Sequence, residues 1–123
     1  MHKNIMYICP MHSKELLKGS LKTIILKMLK EHGRMYGYEI TQKVRTLTGD
    51  ELVITEGALY PALHKLEADK LVQTEQEFIG KRVRRYYSLT PSGELAVEEK
   101  VSEFESFVQM MQLIIQPKTS FNG

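Results

Sequence analysis

The chain has 123 residues, 42% of them hydrophobic and 26% charged, with a formal net charge of +2. That is room for one domain with an adequate but not generous core, and no apolar run approaches the ~20 residues a membrane-spanning helix needs. A short apolar patch at residues 5–8 has no small-residue cleavage site after it, and the one cysteine, Cys9, has neither a disulfide partner nor histidines at ligand spacing; the expectation is a cytoplasmic chain without signal peptide, metal, cofactor or membrane partner.

Residues 14–32 predict a helix, with Leu17, Leu21, Ile24 or Ile25, and Met28 on one face and Gly33 suited to the left-handed position past its end. Lys18, Lys22, Lys27 and Lys30 fall mostly on the other faces, as a solvated surface or, near the start, as phosphate contacts. A second helix is marked by Ile40, Val44 and Leu47 and closed by Gly49, after an aromatic, flexible lead-in at Tyr36, Gly37 and Tyr38. A third runs from about Thr55, a suitable N-cap, to Lys70, with Leu59, Leu63 and Leu66 inward. Pro61 removes a backbone donor there and crowds the Gly57 carbonyl, so an irregular first turn is expected.

Residues 71–75 and 83–89 are strand-like and joined by a loop through Gly80 and Lys81, which predicts a hairpin. Thr90 and Pro91 then set the cap and first position of a long helix reaching about Ile115, where Pro117 stops it. Along it Val97, Val101, Phe104, Val108, Met111 and Ile115 follow heptad spacing, a seam for another helix. Such a seam cannot be covered by a three-helix head alone, which predicts a homodimer in which this helix and the first, around Leu17, exchange contacts. Glu94, Glu98, Glu99, Glu103 and Glu105 read as its solvated face.

The fold class is therefore mainly α with a small β hairpin (α+β): a winged helix-turn-helix plus a long C-terminal dimerisation helix. Residues 13–90 form the winged-helix unit, 91–116 the dimerisation helix, and 1–12 and 117–123 flexible ends. In such folds the third helix enters the DNA major groove and the hairpin lies near the backbone or minor groove. The charge pattern agrees. Residues 1–48 carry nine Lys/Arg against three Glu, a balance of +6, and Lys81, Arg82, Arg84 and Arg85 crowd the wing. The alternative is a winged helix used only for protein–protein contact, without specific DNA binding and with the basic wing solvated. No Gly-rich phosphate loop, His-Glu-x-x-His run or histidine-paired nucleophile suggests an enzyme.

Several motifs in order carry a resemblance over residues 14–115: Gly19-Ser20-Leu21, Tyr36-Gly37-Tyr38-Glu39-Ile40, Gly57-Ala58-Leu59-Tyr60-Pro61-Ala62-Leu63-His64-Lys65-Leu66-Glu67, Arg85-Tyr86-Tyr87-Ser88-Leu89-Thr90 and Gly93. The chain resembles the PadR-family transcriptional regulators, and its single C-terminal helix is similar to their compact subfamily. The resemblance implies a dimeric winged-helix repressor of inverted-repeat operators on double-stranded DNA, acting on its own gene and on neighbouring detoxification or transport genes. Some members of that subfamily bind small aromatic ligands between the long helices, which makes Phe104, Phe107 and Met111 the candidates here, with aromatic packing across the two-fold axis as the alternative for Phe104.

Site roles follow for the DNA face. Gly57 and Ala58 keep the first turn of the third helix thin, so that backbone approaches DNA, and the capping Thr55 is counted with them as DNA-binding. Tyr60 and Lys65 suit phosphates, with packing on the second helix the other reading for Tyr60. His64 suits a base edge, a phosphate or plain helix surface, and Glu56 a cytosine amino group or the helix N-terminus. Tyr38 is similar to a backbone-contacting tyrosine of the family, with a core position as its alternative.

Overall fold

The computed structural model describes residues 14–116, so the readings on Cys9, on both chain ends and on the stop at Pro117 lie outside the described residues. Four helices and a three-stranded antiparallel sheet follow one another there: α1 (Lys14–His32), β1 (Met35–Tyr36), α2 (Gly37–Leu47), α3 (Glu56–Ala68), β2 (Val72–Ile79), β3 (Arg82–Leu89) and α4 (Pro91–Ile115). Among these residues no helix is long and apolar enough to cross a membrane.

The core is the sum of the apolar stripes. Leu21, Ile25, Leu26 and Leu29 of α1 meet Ile40 and Val44 of α2, Leu59, Leu63 and Leu66 of α3, and Val72, Tyr87 and Val97. Helix α1 ends as expected, with Gly33 at φ +78° and its N–H donating to the Leu29 carbonyl at 2.9 Å. Leu47 departs from expectation. It is 64% exposed because the buried face of α2 is Ile40, Thr41 and Val44, and Ile54 of the following loop is buried instead.

The irregular first turn expected in α3 is absent. The Thr55 hydroxyl caps the Ala58 N–H, the Thr55 carbonyl accepts from both Ala58 and Leu59, and the helix runs unbroken through Pro61. The carbonyl that Pro61 leaves without a donor belongs to Gly57, which has no side chain to crowd it.

The hairpin is longer than the sequence suggested and is not two-stranded. Strands β2 and β3 pair from Val72–Leu89 to Ile79–Arg82 around a turn of Gly80 and Lys81, with Gly80 at φ +66°. On the far side of β3, Met35 and Tyr36 pair with Tyr87 and Tyr86, giving the order β1-β3-β2. A two-residue strand has no alternation to read, so this stretch looked like a helix lead-in.

Helix α4 is anchored by its first turn. The Thr90 hydroxyl accepts from the Gly93 N–H at 3.0 Å and donates to the Lys70 carbonyl at 2.7 Å, while the Thr90 N–H donates to the Leu71 carbonyl at 3.1 Å. Gly93 lies so close that a Cβ there would overlap the Leu71 carbonyl oxygen. Val97, placed by its spacing in the seam, is only 1% exposed and belongs to the core of the head, so it is not available to a partner. Val101 packs against the same core; from residue 102 on, side chains are exposed, save the half-buried Met111.

Candidate nucleic-acid interface

Helix α3 turns Leu59, Leu63 and Leu66 inward, which leaves Gly57, Pro61, His64 and Lys65 exposed along its outer face. A groove flanks that face on either side, and between them the two grooves take up all but one of the expected DNA-binding residues. On the wing side Tyr38, Tyr60, His64, Arg82, Arg84 and Arg85 line one groove together. On the α1 side Thr55, Gly57, Ala58 and Lys65 line the other, opposite Lys14, Lys18 and Lys22. Lys81 stands apart, exposed in the turn of the wing.

Local packing explains several of these positions. The Tyr60 ring lies across the start of α2, and a Cβ on Gly37 would overlap its hydroxyl, so the packing reading of Tyr60 holds. Tyr38 is 61% exposed, which excludes the core reading. Glu56 occupies the first turn of α3, where a carboxylate complements the helix dipole.

The wing arginines are not equivalent. Strand alternation puts Arg82, Arg84 and Tyr86 on one face, and Val83, Arg85 and the buried Tyr87 on the other. The Arg84 guanidinium stacks 4.1 Å from the Tyr36 ring centroid and donates to the Tyr86 hydroxyl at 3.3 Å. That hydrogen bond, with the nearby tyrosines and Glu39, holds Arg84 still more firmly protonated than usual. Beside it Arg34 sits 4.0 Å over the Tyr86 ring and bridges Glu77 at 2.9 Å and Glu75 at 3.1 Å. Arg34, Tyr86, Tyr36 and Arg84 thus form a ladder that fixes the wing to the head.

The lysines of α1 divide in the same way. Lys27 pairs with Glu31 and Lys30 with Glu94, each at 2.8 Å, and these carboxylates raise both lysine pKa values. Lys14, Lys18 and Lys22 form no ion pair among the described residues and remain available along the groove beside α3. Sequence reasoning had Lys18 and Lys22 open to phosphate but missed Lys14 and the ladder residues Arg34, Tyr36 and Tyr86. The four-residue spacing of Lys14, Lys18 and Lys22 was the available signal for the first. For the second it was the register, in which Glu75 and Glu77 face Tyr86 and Arg84.

The candidate dimerisation and effector residues lie elsewhere. Leu17 is half-buried on α1, while Phe104, Phe107, Val108 and Ile115 are exposed on the part of α4 that extends past the head.

Three helices, an antiparallel wing and a basic surface on both sides of the third helix define a winged-helix DNA-binding regulator of transcription. Residues 25–99 match the Transcriptional regulator PadR-like family, and the chain belongs to that family, one of regulators and not of enzymes. A transcriptional regulator of Mycobacterium tuberculosis is 40% identical over 110 residues, which cover 89% of this chain and 98% of that protein. The structure of a transcriptional regulator from Clostridium thermocellum superposes with a TM-score of 0.77 at 31% identity, covering 84% of this chain and 100% of the other. Bacillus subtilis PadR, solved in complex with operator DNA, gives a TM-score of 0.60 at 27% identity over 66% of this chain and 46% of that one.

Proposed function

We propose that this chain is a sequence-specific repressor that binds an inverted-repeat operator as a homodimer and is released by a small planar aromatic ligand. The observation that carries the DNA reading is the convergence on α3: wing arginines on one flank of its exposed face, and on the other Lys14, Lys18 and Lys22, which have no carboxylate partner among the described residues. Helix α3 enters the major groove, with His64 at base edges and Lys65 on phosphate. Tyr38, Lys81, Arg82, Arg85 and the Lys14, Lys18, Lys22 row hold the backbone on either side, and Gly57 and Ala58 let the helix start approach closely. Two heads related by a two-fold axis read half-sites about 34 Å apart.

Selecting duplexes from a randomised pool tests this directly. Enriched sequences are expected to be palindromic, and log affinity is expected to fall linearly with log salt. Enrichment of no sequence, or of sequences without two-fold symmetry, would overturn it. For release, Phe104, Phe107 and Met111 offer two rings and a polarisable wall along one side of α4. A flat ligand between two such helices shifts the angle between heads only if it binds the two states differently. Planar aromatic cations and phenolic acids titrated into the protein–operator complex are expected to release DNA, and Phe104→Ala to abolish the response.

A further inference from the structure

We propose that the tip of the wing is an apolar wedge for the DNA minor groove, in which the Phe78 ring, backed by Val83, presses into a base step. The inference rests on the DNA-binding reading above and adds to it a specificity determinant in the wing.

Phe78 is 75% exposed and Val83 is 55% exposed, and the two face each other across the last rungs of the hairpin. The two-residue turn of Gly80 and Lys81 puts the pair at the end of the ribbon, beyond the core. Alternation then fixes their direction. Phe78 and Val83 lie on the same face as Val72 and Tyr87, which are buried against the helices, so the pair looks toward the α3 side of the sheet. Val83 lines the groove that also holds His64 and Tyr38. DNA seated on the exposed face of α3 therefore reaches the tip.

Charge selects the occupant. Lys81 in the turn and Arg85 on the same face flank the apolar pair; Arg82 and the neighbouring acidic side chain, Glu77, both lie on the opposite face, where Glu77 is held by Arg34 at 2.9 Å. An apolar wedge flanked by Lys81 and Arg85 and continuous with a basic recognition face matches a polyanion whose interior is apolar, which is stacked DNA. Side chains of this kind inserted from the minor groove partly unstack a step and bend the duplex. Pyrimidine–purine steps unstack most easily, so they are favoured under the tip, outside the bases that α3 reads. Cross-strand pairing of Phe78 with Val83 by itself only strengthens the hairpin; it would produce neither unstacking nor a step preference.

The test uses the full chain and a duplex it selects from a randomised pool, with 2-aminopurine placed at successive positions. Binding is expected to raise fluorescence at one step in each half-site, flanking the conserved core of the selected sequence. Phe78→Thr keeps a good strand former, with folding checked by circular dichroism. It is expected to lose that rise and about tenfold in affinity, the scale of one stacking contact, at unchanged salt slope, while Phe78→Leu retains most of both. A bound duplex with no rise at any position, or a rise and affinity unaltered by Phe78→Thr, overturns the wedge and leaves DNA binding standing. Failure to select any duplex overturns both.

Discussion

Single atoms decide the fit at Gly93 and Tyr87. Replacing Gly93 by Ala forces a methyl group into the Leu71 carbonyl, a backbone atom that cannot swing aside, and so opens the joint between α4 and the sheet. The expected loss is about 1–3 kcal/mol in urea unfolding. Gly19, inside α1 with nothing within 4 Å of an added Cβ, is the control: Gly19→Ala is expected to stabilise by about 0.5–1 kcal/mol. At Tyr87 the chemistry is a proton. Burial raises its phenol pKa above the ordinary value, with the Arg85 guanidinium opposing in part. The unfolded chain therefore gives up this proton first as pH rises. The stability tied to it is complete below about pH 10 and is lost as pH climbs through the higher folded value, by up to about 1.4 kcal/mol per unit. Lys27 and Lys30 also titrate in this alkaline range, so the comparison is with Tyr87→Phe, whose unfolding free energy is expected to fall less steeply above pH 10.

At the scale of elements, the two arginines that neighbour each other in sequence separate in function. Both line the groove that holds His64, but Arg85 makes no ion pair among the described residues, whereas Arg84 is stacked on Tyr36 and bonded to Tyr86. Arg85→Ala is expected to lower the salt slope of operator binding by about one, with little effect on thermal stability. Arg84→Ala is expected to change the slope less and to lower the melting temperature, because it removes a rung of the ladder. Titrating both variants against one duplex at several salt concentrations separates them. This distinction was not legible in the run Arg82, Val83, Arg84, Arg85, since it depends on register and on Tyr36, which pairs from outside the hairpin. By contrast, α1 and α3 were legible almost to the residue, because Gly33 and Thr55 mark ends that only certain side chains can form. The site was legible as a set of residue types, and its division into two grooves was not: which flank of α3 a residue faces depends on where α1 and the wing pack.

For the whole molecule, the proposed homodimer rests on the apolar surface of α4. The helix is about 37 Å long at 1.5 Å per residue, and only its first half is covered by the head. Heptad spacing ran through both halves, and it does not distinguish a residue covered by its own head from one covered by a partner. Val97 and Val101 are the first kind; Phe104, Phe107, Val108, Leu113 and Ile114 stand exposed in the second half, apolar side chains that the described part of the head does not cover. Two substitutions therefore diverge. Val101→Glu puts a charge against the core and is expected to unfold the head, seen as lost helical signal. Val108→Glu puts the same charge outside the head, so the expected product is a folded monomer, because the unpaired charge is buried only in the dimer. Sedimentation at micromolar concentration should give a dimer for the original chain and a monomer for Val108→Glu, with matching circular dichroism. On DNA, that monomer should bind a single half-site as the original head does and lose the gain in affinity that a palindrome gives two linked heads. A folded Val108→Glu chain that still sediments as a dimer would place the interface elsewhere on the molecule.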